Sequence, residues 1–202
     1  MMDVWGRASS SNSAKVFWTL DELGIAYTLR QAGGEFGGLD TSNYLEMNPN
    51  ARVPTLVDGS LVLWESNAVV RYLAAQYGSA SLWPVAARER AVSDKWMDWA
   101  SINFGPAMFA LRRGLKGEPA AADVNALRAR VDGLARMLDH VLSGSPYAGG
   151  ERLGIGDVAL GPHVHRWTLL DTPPDHLPAL RSYYLRLCTH RAYKRHVVDA
   201  LT

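Results

Sequence analysis

The most informative stretch of the chain, residues 53–66, is VPTLVDGSLVLWES. Two short apolar runs flank the turn pair Asp58-Gly59, which is the pattern of a β-hairpin. A Val-Pro bond precedes the first strand, a position where a cis proline commonly holds a tight turn. Glu65 and Ser66 directly follow the second strand and predict the first turn of a helix.

The two ends of this stretch carry groups that suit a short peptide with a free amino-acid head. Backbone groups beside Pro54 can pair with an extended peptide as an added strand would. The Glu65 carboxylate can meet an ammonium group, while the Ser66 hydroxyl and the helix N–H groups can meet a carboxylate. A capped helix start without any ligand has the same sequence pattern, so that alternative stays open.

The first eighty residues alternate strand and helix patterns around this hairpin. We predict strands at 2–5 and 25–29, helices at 12–24 and 66–77, a flexible glycine loop at 33–38 and a short helix before Asn48. This order predicts an α+β domain with a small mixed four-stranded sheet and helices on its faces.

After Leu82 the apolar spacing predicts helices throughout. Residues 124–141 alternate spacings of three and four, as in a core helix of a bundle, and Gly105-Pro106 is expected to bend or end a helix. We therefore predict a sheet domain at 1–78, a linker at 79–87 and an all-helical domain at 88–202.

Composition narrows the function. The 202 residues include 21 basic and 20 acidic ones, so no excess charge favours a nucleic-acid partner. No apolar stretch approaches the roughly 18 residues of a membrane span. The first six residues lack the pattern of a secretion signal, and the single cysteine, Cys188, excludes an internal disulfide. These observations predict a soluble cytoplasmic protein, with Cys188 a buried, inert thiol.

Four segments give the chain a resemblance to the cytosolic glutathione transferases: residues 15–25, 48–56, 65–73 and 155–157. The Glu65-Ser66 helix start at a fixed distance after Val53-Pro54 is the most specific of them. The resemblance implies a thioredoxin-like N-terminal domain, an all-helical C-terminal domain and a homodimer. It also implies glutathione as co-substrate and no further cofactor. His163 and His165 are spaced i, i+2, which points them to different sides of a helix, so we predict no metal site.

A glutathione transferase must lower the pKa of the glutathione thiol, which is about 8.5 for a free thiol. A shift of two units corresponds to about 2.7 kcal/mol. One hydrogen bond to a charged group contributes roughly 1.5–3 kcal/mol, and a helix N-terminus adds roughly 0.3–1 kcal/mol. One hydroxyl donor at the start of the first helix can therefore supply the shift.

That helix start contains three adjacent serines, followed by Asn12. The resemblance to the serine-type branch puts the thiolate donor at Ser10, and the nu-like bacterial branch adds the amide of Asn12. Ser9 and Ser11 remain alternatives for the donor. A serine that only caps the helix is the structural alternative for each of them.

Departures from other branches narrow the class. The first strand has no tyrosine, and no cysteine lies near residue 10. Leu39 stands where the nu-like branch carries an amide that contacts glutathione. Leucine cannot replace that amide, which argues against a strict nu-like assignment. The chain therefore resembles a generic serine-type enzyme, related to the bacterial nu-like or theta-like branch.

The resemblance also implies roles in peptide binding. The backbone of Val53 would pair with the cysteinyl unit of glutathione, and Pro54 would hold the turn. Glu65 would bind the γ-glutamyl ammonium, and Ser66 the adjacent carboxylate. Arg52 would reach the glycine carboxylate or remain solvated.

In the predicted helical domain, fewer residues indicate a functional role than in the sheet domain. Residues expected to face a second-substrate pocket are Trp99, Asn103, Met108 and Arg112, with core packing as the alternative. Asp157 resembles the buried aspartate that opens a core helix in the family, and we expect a structural role. Gly154 stands where a Ser or Thr would complete a capping box, so compensation is expected nearby.

The expected activity is attack of the glutathione thiolate on a small hydrophobic electrophile. The first alternative is glutathione-dependent reduction of a disulfide or a peroxide. The second is a protein of the same fold that binds ligands without turnover.

Overall fold

The computed structural model describes residues 2–78, 82–117, 123–170 and 176–201. The chain divides into two compact units, Met1–Trp83 with His190–Thr202 and Pro84–Thr189. Part of the predicted linker, residues 79–81, lies outside the described residues. Within the described ranges, no helix combines the length and apolar character needed to cross a membrane.

The first unit is built on a four-stranded mixed sheet. Its strands are β1 (Met2–Gly6), β2 (Tyr27–Gln31), β3 (Thr55–Asp58) and β4 (Leu61–Trp64), in the order β2-β1-β3-β4. β1 pairs parallel with β2 and antiparallel with β3, and β3 pairs antiparallel with β4. The sheet confirms the predicted fold class and hairpin.

Three helices and a short turn accompany this sheet. They are α1 (Ser11–Glu22), a 3₁₀ turn (Gly34–Phe36), α2 (Ser42–Met47) and α3 (Ser66–Tyr77). The core between sheet and helices contains Met2, Val4, Val16, Phe17, Leu20, Leu56, Val69 and Leu73. α1 and α3 pack against each other, which brings both helix starts into one region of the unit.

Among its described residues, the second unit consists of helices and their connections, with one isolated β-bridge between Tyr147 and Gly150. Its helices are α4 (Ala87–Trp99), α5 (Gly105–Leu115), α6 (Val124–Leu142), α7 (Ile155–Thr168) and α8 (Pro178–Leu187). A π-helical turn, Ala100–Phe104, joins α4 to α5, so Gly105-Pro106 does not end the helical run. The wider turn before Pro106 accommodates a residue that has no N–H to donate.

The last segment of the chain belongs to the first unit, contrary to the predicted helical domain of 88–202. It forms α9 (Arg191–Tyr193) and a π-helical turn (Lys194–Val198), both packed on α1. The Tyr193 and Trp18 rings meet at 4.8 Å between centroids. Burial of these aromatic side chains explains why the segment packs with α1.

Candidate active site

A buried polar cluster holds the turn that enters β3. The Val53-Pro54 peptide bond is cis, as the sequence predicted. The Tyr44 hydroxyl and the Asn48 amide both donate to the carbonyl oxygen of Arg52, each at 2.7 Å. Both groups also contact the Thr55 hydroxyl, at 2.9 and 3.0 Å. The carbonyl of Arg52 is therefore turned inward and fixed from two sides.

Val53 lies in the chain between Arg52 and Thr55, the two residues that this polar cluster holds, and it is half-buried. Among the described residues, its backbone N–H and C=O have no hydrogen-bond partner. β3 starts only at Thr55, so the sheet does not use these groups. They are free to pair with an extended peptide. The Arg52 side chain is exposed, in line with either predicted role.

The start of α3 presents Glu65 and Ser66. Glu65 is the N-cap residue and has φ +67°, an uncommon value for a residue with a side chain. Its carboxylate makes no capping hydrogen bond and is exposed, so it remains available to a ligand. Strained backbone of this kind persists where the surrounding structure imposes it, often at ligand sites.

The start of α1 presents Ser10. It is the N-cap residue, and its hydroxyl oxygen accepts a hydrogen bond from the Ser13 N–H at 3.3 Å. The hydroxyl hydrogen is not used in that bond, so Ser10 can cap the helix and donate to an anion at once. The capping alternative and the catalytic role are thus compatible.

The neighbouring serines have different surroundings. Ser9 is exposed, and its hydroxyl oxygen accepts a hydrogen bond from Nη1 of Arg7 at 2.7 Å. Ser11 is the first residue of α1 and is half-buried. Neither occupies the capping position, where the side chain sits against the free N–H groups of the first turn.

Two hydrogen bonds link α1 to the start of α3. The Ser66 hydroxyl donates to Oδ1 of Asn12 at 3.3 Å, and Nζ of Lys15 donates to Oδ1 of Asn67 at 3.3 Å. Asn12 and Lys15 are three residues apart and lie on one face of α1. Because the Ser66 hydroxyl bonds to the amide oxygen of Asn12, the N–H groups of the Asn12 amide point away from Ser66 and can donate to another acceptor.

Lys15 is a charged side chain in the protein interior, where charged groups are uncommon. Its side chain is 1% exposed. Burial lowers the pKa of Lys15 to about 8, and the Glu65 carboxylate acts in the opposite direction. Lys15 lies in the segment 15–25 that carries the family resemblance, but the sequence indicated no role for it. Its position among apolar residues of α1, between Ala14 and Val16, was the available signal.

The residues expected around a second substrate all lie in the second unit. Met108 is 1% exposed, which favours the core-packing alternative for that residue. Trp99 packs against Trp96 and Phe104, with ring centroids at 5.4 and 5.7 Å. Asn103 lies in the π-helical turn.

Arg112 and Cys188 are each partly buried in this unit. Burial lowers the pKa of Arg112 below its usual value. Cys188 is half-buried rather than buried as expected, because it stands at the C-terminal end of α8. In the part of the chain that the structure describes, no group of three His, Cys, Asp or Glu side chains is arranged to hold a metal.

Asp157 is fully buried at the start of α7. Its carboxylate accepts hydrogen bonds from the N–H groups of Ala148 and Gly154 and from the Tyr183 hydroxyl, at 2.8–2.9 Å. Burial raises the pKa of Asp157 to about 6, although these donors oppose the shift. These contacts tie three segments of the second unit together, in support of the structural role.

Ser93 takes the place of the missing capping side chain. Its hydroxyl accepts a hydrogen bond from the Gly156 N–H at 3.0 Å. A Cβ at Gly154 would lie 2.5 Å from the same oxygen. A serine or threonine at position 154 would therefore displace Ser93, which supplies the compensation from α4.

These features define a class of protein: a thioredoxin-like unit, followed by a helical unit. Models of the N-terminal and C-terminal domains of glutathione S-transferase match residues 5–81 and 118–186. The chain belongs to the glutathione S-transferase family.

Several relatives resemble the chain over its whole length. The glutathione S-transferase GstB of Escherichia coli strain K12 is 39% identical, with 98% of both chains aligned. The disulfide-bond oxidoreductase YfcG of the same strain is 29% identical over 93% of this chain and 90% of its own.

A solved structure gives the same result. The theta class glutathione S-transferase from Xanthomonas axonopodis pv. citri, crystallised with glutathione bound, is 43% identical with a TM-score of 0.93. The match covers 100% of this chain and 99% of that one. The predicted family, fold class and enzyme class, a transferase with glutathione as co-substrate, are confirmed.

Proposed function

We propose that the enzyme transfers the glutathione thiolate to small hydrophobic electrophiles, with Ser10 as the donor that stabilises the thiolate. The observation that supports this proposal most directly concerns the Ser10 hydroxyl. Its oxygen accepts a hydrogen bond from the Ser13 N–H, so its hydrogen can be donated in a second hydrogen bond. Its location at the N-terminus of α1 adds the favourable end of the helix dipole.

Asn12 assists in this proposal. Its amide oxygen is occupied by the Ser66 hydroxyl, so its N–H groups can donate to the sulfur from the first turn of α1. The same bond couples the thiolate donors to the residue that binds the γ-glutamyl carboxylate. Asn12 is exposed, which suits contact with a ligand.

The remainder of glutathione is bound by the edge of the first unit. The backbone of Val53, held by the cis bond to Pro54, pairs with the cysteinyl unit, and the Glu65 carboxylate binds the α-ammonium. Ser66 and the first N–H groups of α3 bind the adjacent carboxylate. Arg52 is exposed and close in sequence to this edge, so it serves the glycine carboxylate.

The Ser10→Ala variant tests the central claim. We expect the pKa of bound glutathione to rise by about one to two units, because one charge-assisted hydrogen bond is lost. Turnover at neutral pH should fall about 10- to 100-fold, while affinity for glutathione changes little. Ultraviolet absorbance of the thiolate measures the pKa of bound glutathione, and steady-state kinetics measures turnover.

Three variants serve as matched controls. Ser9→Ala and Ser11→Ala should retain the thiol pKa, and Ser10→Thr should retain both the cap and the donor. If Ser9→Ala or Ser11→Ala raises the thiol pKa instead, the donor is that serine. Unchanged turnover in Ser10→Ala removes Ser10 from the mechanism.

Glutathione-dependent disulfide reduction is the second candidate function. The similarity to the disulfide-bond oxidoreductase YfcG favours it, and it needs no cysteine at the start of α1. Rates with hydroxyethyl disulfide and with a halogenated nitrobenzene separate the two activities. Tight glutathione binding without turnover of either substrate would instead identify a binding protein.

We further propose a detoxifying role in the cytoplasm and assembly as a homodimer. Reaction of a thiolate with foreign electrophiles is the chemistry of detoxification. A single cysteine among 202 residues suits a reducing compartment. The apolar side chains of Leu61, Val62 and Trp64 are exposed on β4, the edge strand of the sheet, and offer a surface for a second copy.

A further inference from the structure

Lys15 is a buried ammonium group beside the proposed binding site. Nζ donates to Oδ1 of Asn67 on α3, and the side chain is 1% exposed. A buried charge is costly unless other groups compensate for it, and an apolar residue would pack between α1 and α3 without that cost. Packing between α1 and α3 therefore does not explain why residue 15 is a lysine.

The compensating charge is the carboxylate of Glu65, two residues before Asn67. Glu65 raises the Lys15 pKa against the effect of burial. The elements packed against α1 carry Arg71 on α3 and four basic residues in the C-terminal segment, Arg191, Lys194, Arg195 and His196. The charge that acts on Lys15 is that of Glu65, at the start of α3. The basic groups Arg195 and His196 of the C-terminal segment pair instead with Asp21, and His190 pairs with Glu22.

We propose that Lys15 is a positioning residue for the head of glutathione, coupled through Glu65 so that binding of the ligand ammonium expels a proton from Lys15. This inference rests on the proposed function, in which Glu65 binds that ammonium. The proton passes from Nζ to solvent buffer, and the neutral amine still donates to Asn67.

The physical reason is that one carboxylate serves two cations. Before binding, Glu65 is the charge that favours the protonated form of Lys15. A ligand ammonium beside Glu65 adds a like charge and offsets the field of the carboxylate, so the proton affinity of Lys15 falls. By linkage, glutathione binds more tightly as Lys15 loses its proton, which happens as the pH rises towards about 8.

Isothermal titration calorimetry with S-methylglutathione tests the inference, because this ligand retains the α-ammonium but has no ionisable thiol. Titrations near pH 7.5 in two buffers of different ionisation enthalpy give the number of protons exchanged. If binding lowers the Lys15 pKa by about one unit, wild type releases up to about half a proton more than a variant without the titrating group.

Lys15→Met and Lys15→Arg are the two variants. Methionine removes the charge and keeps the length of the chain, whereas arginine keeps a charge that does not titrate in this range. Both should lose the extra proton release and the rise of affinity with pH. Near-ultraviolet circular dichroism checks that each variant folds, and Lys95→Met, at an exposed position of α4, should behave as wild type.

The ligand itself provides the second control. S-methylglutathione with the α-amino group replaced by hydrogen carries no cation for Glu65, so its binding should release no extra proton from wild type. Equal proton counts for wild type and both Lys15 variants would overturn the inference. Absence of any S-methylglutathione binding to wild type would instead overturn the proposed glutathione site, so the two failures are distinguishable.

Discussion

In the proposed mechanism, the Ser10 hydroxyl both caps α1 and donates a hydrogen bond to the ligand. Its oxygen accepts the Ser13 N–H, which satisfies a free donor of the first helical turn, and its hydrogen remains for a ligand. The sequence could not separate a capping serine from a thiolate donor. The structure makes that choice unnecessary, because the two bonds use different parts of the hydroxyl.

Asp157 gives a prediction for pH dependence. Its pKa in the folded protein is raised to about 6 from an ordinary value of 3.8, so folding favours the neutral carboxyl. The stability that this group contributes is complete below pH 3.8 and is lost as the pH rises through 6. The shift corresponds to roughly 3 kcal/mol between these limits.

Asp157→Asn cannot ionise and serves as the reference. Urea unfolding from about pH 4 to pH 7 should show the free energy of unfolding of wild type, relative to Asp157→Asn, decreasing by up to roughly 3 kcal/mol. The difference should be constant above about pH 7. Parallel pH profiles for the two proteins would show that Asp157 titrates as an ordinary carboxyl.

At the scale of elements, the turn between α2 and β3 depends on polar side chains rather than on its own backbone. Asn48→Ala removes the amide that donates to the Arg52 carbonyl and to Thr55. We expect a loss of about 2–3 kcal/mol in the free energy of unfolding, since a buried carbonyl loses one of its donors. KM for glutathione should rise because the turn that positions the Val53 backbone is no longer held by Asn48. Chemical unfolding measures the loss of stability, and steady-state kinetics measures KM.

Asn50→Ala is the matched control for that variant. Asn50 is exposed and, among the described residues, donates only to Oδ1 of Asn48, at 3.1 Å from its backbone and 3.2 Å from its side chain. It should change stability by less than about 0.5 kcal/mol and leave KM unchanged. Similar effects of the two variants would mean that Asn48 does not hold the turn.

Element boundaries show where sequence patterns stop being sufficient. β2 begins at Tyr27, two residues later than predicted, because the Ile25 N–H bonds to the carbonyl of Leu20 and closes the end of α1. In α6, Val131, Ala135, Leu138 and Leu142 are buried, whereas Leu127 and Leu134 are half-buried. The apolar period predicted the helix, but the neighbouring helices determined which face is covered.

At the scale of the whole molecule, we expect a dimer. Light scattering after gel filtration should give a mass twice the 22.2 kDa of one chain. If the β4 edge lies in the interface, Val62→Lys should shift the protein towards the monomer, because a charge would be buried against apolar side chains. Leu185→Lys, at an exposed position of α8, is the control and should leave the mass unchanged.

The sequence by itself determined the strand-helix order, the hairpin, the cis turn at Val53-Pro54 and the helix start at Glu65, because these follow from local spacing and turn chemistry. Only the tertiary structure placed residues 191–198 on α1, replaced a capping side chain with Ser93 and buried Lys15 against Asn67. Each of these contacts joins segments distant in sequence, and burial and hydrogen bonding between such segments depend on packing that no local pattern records.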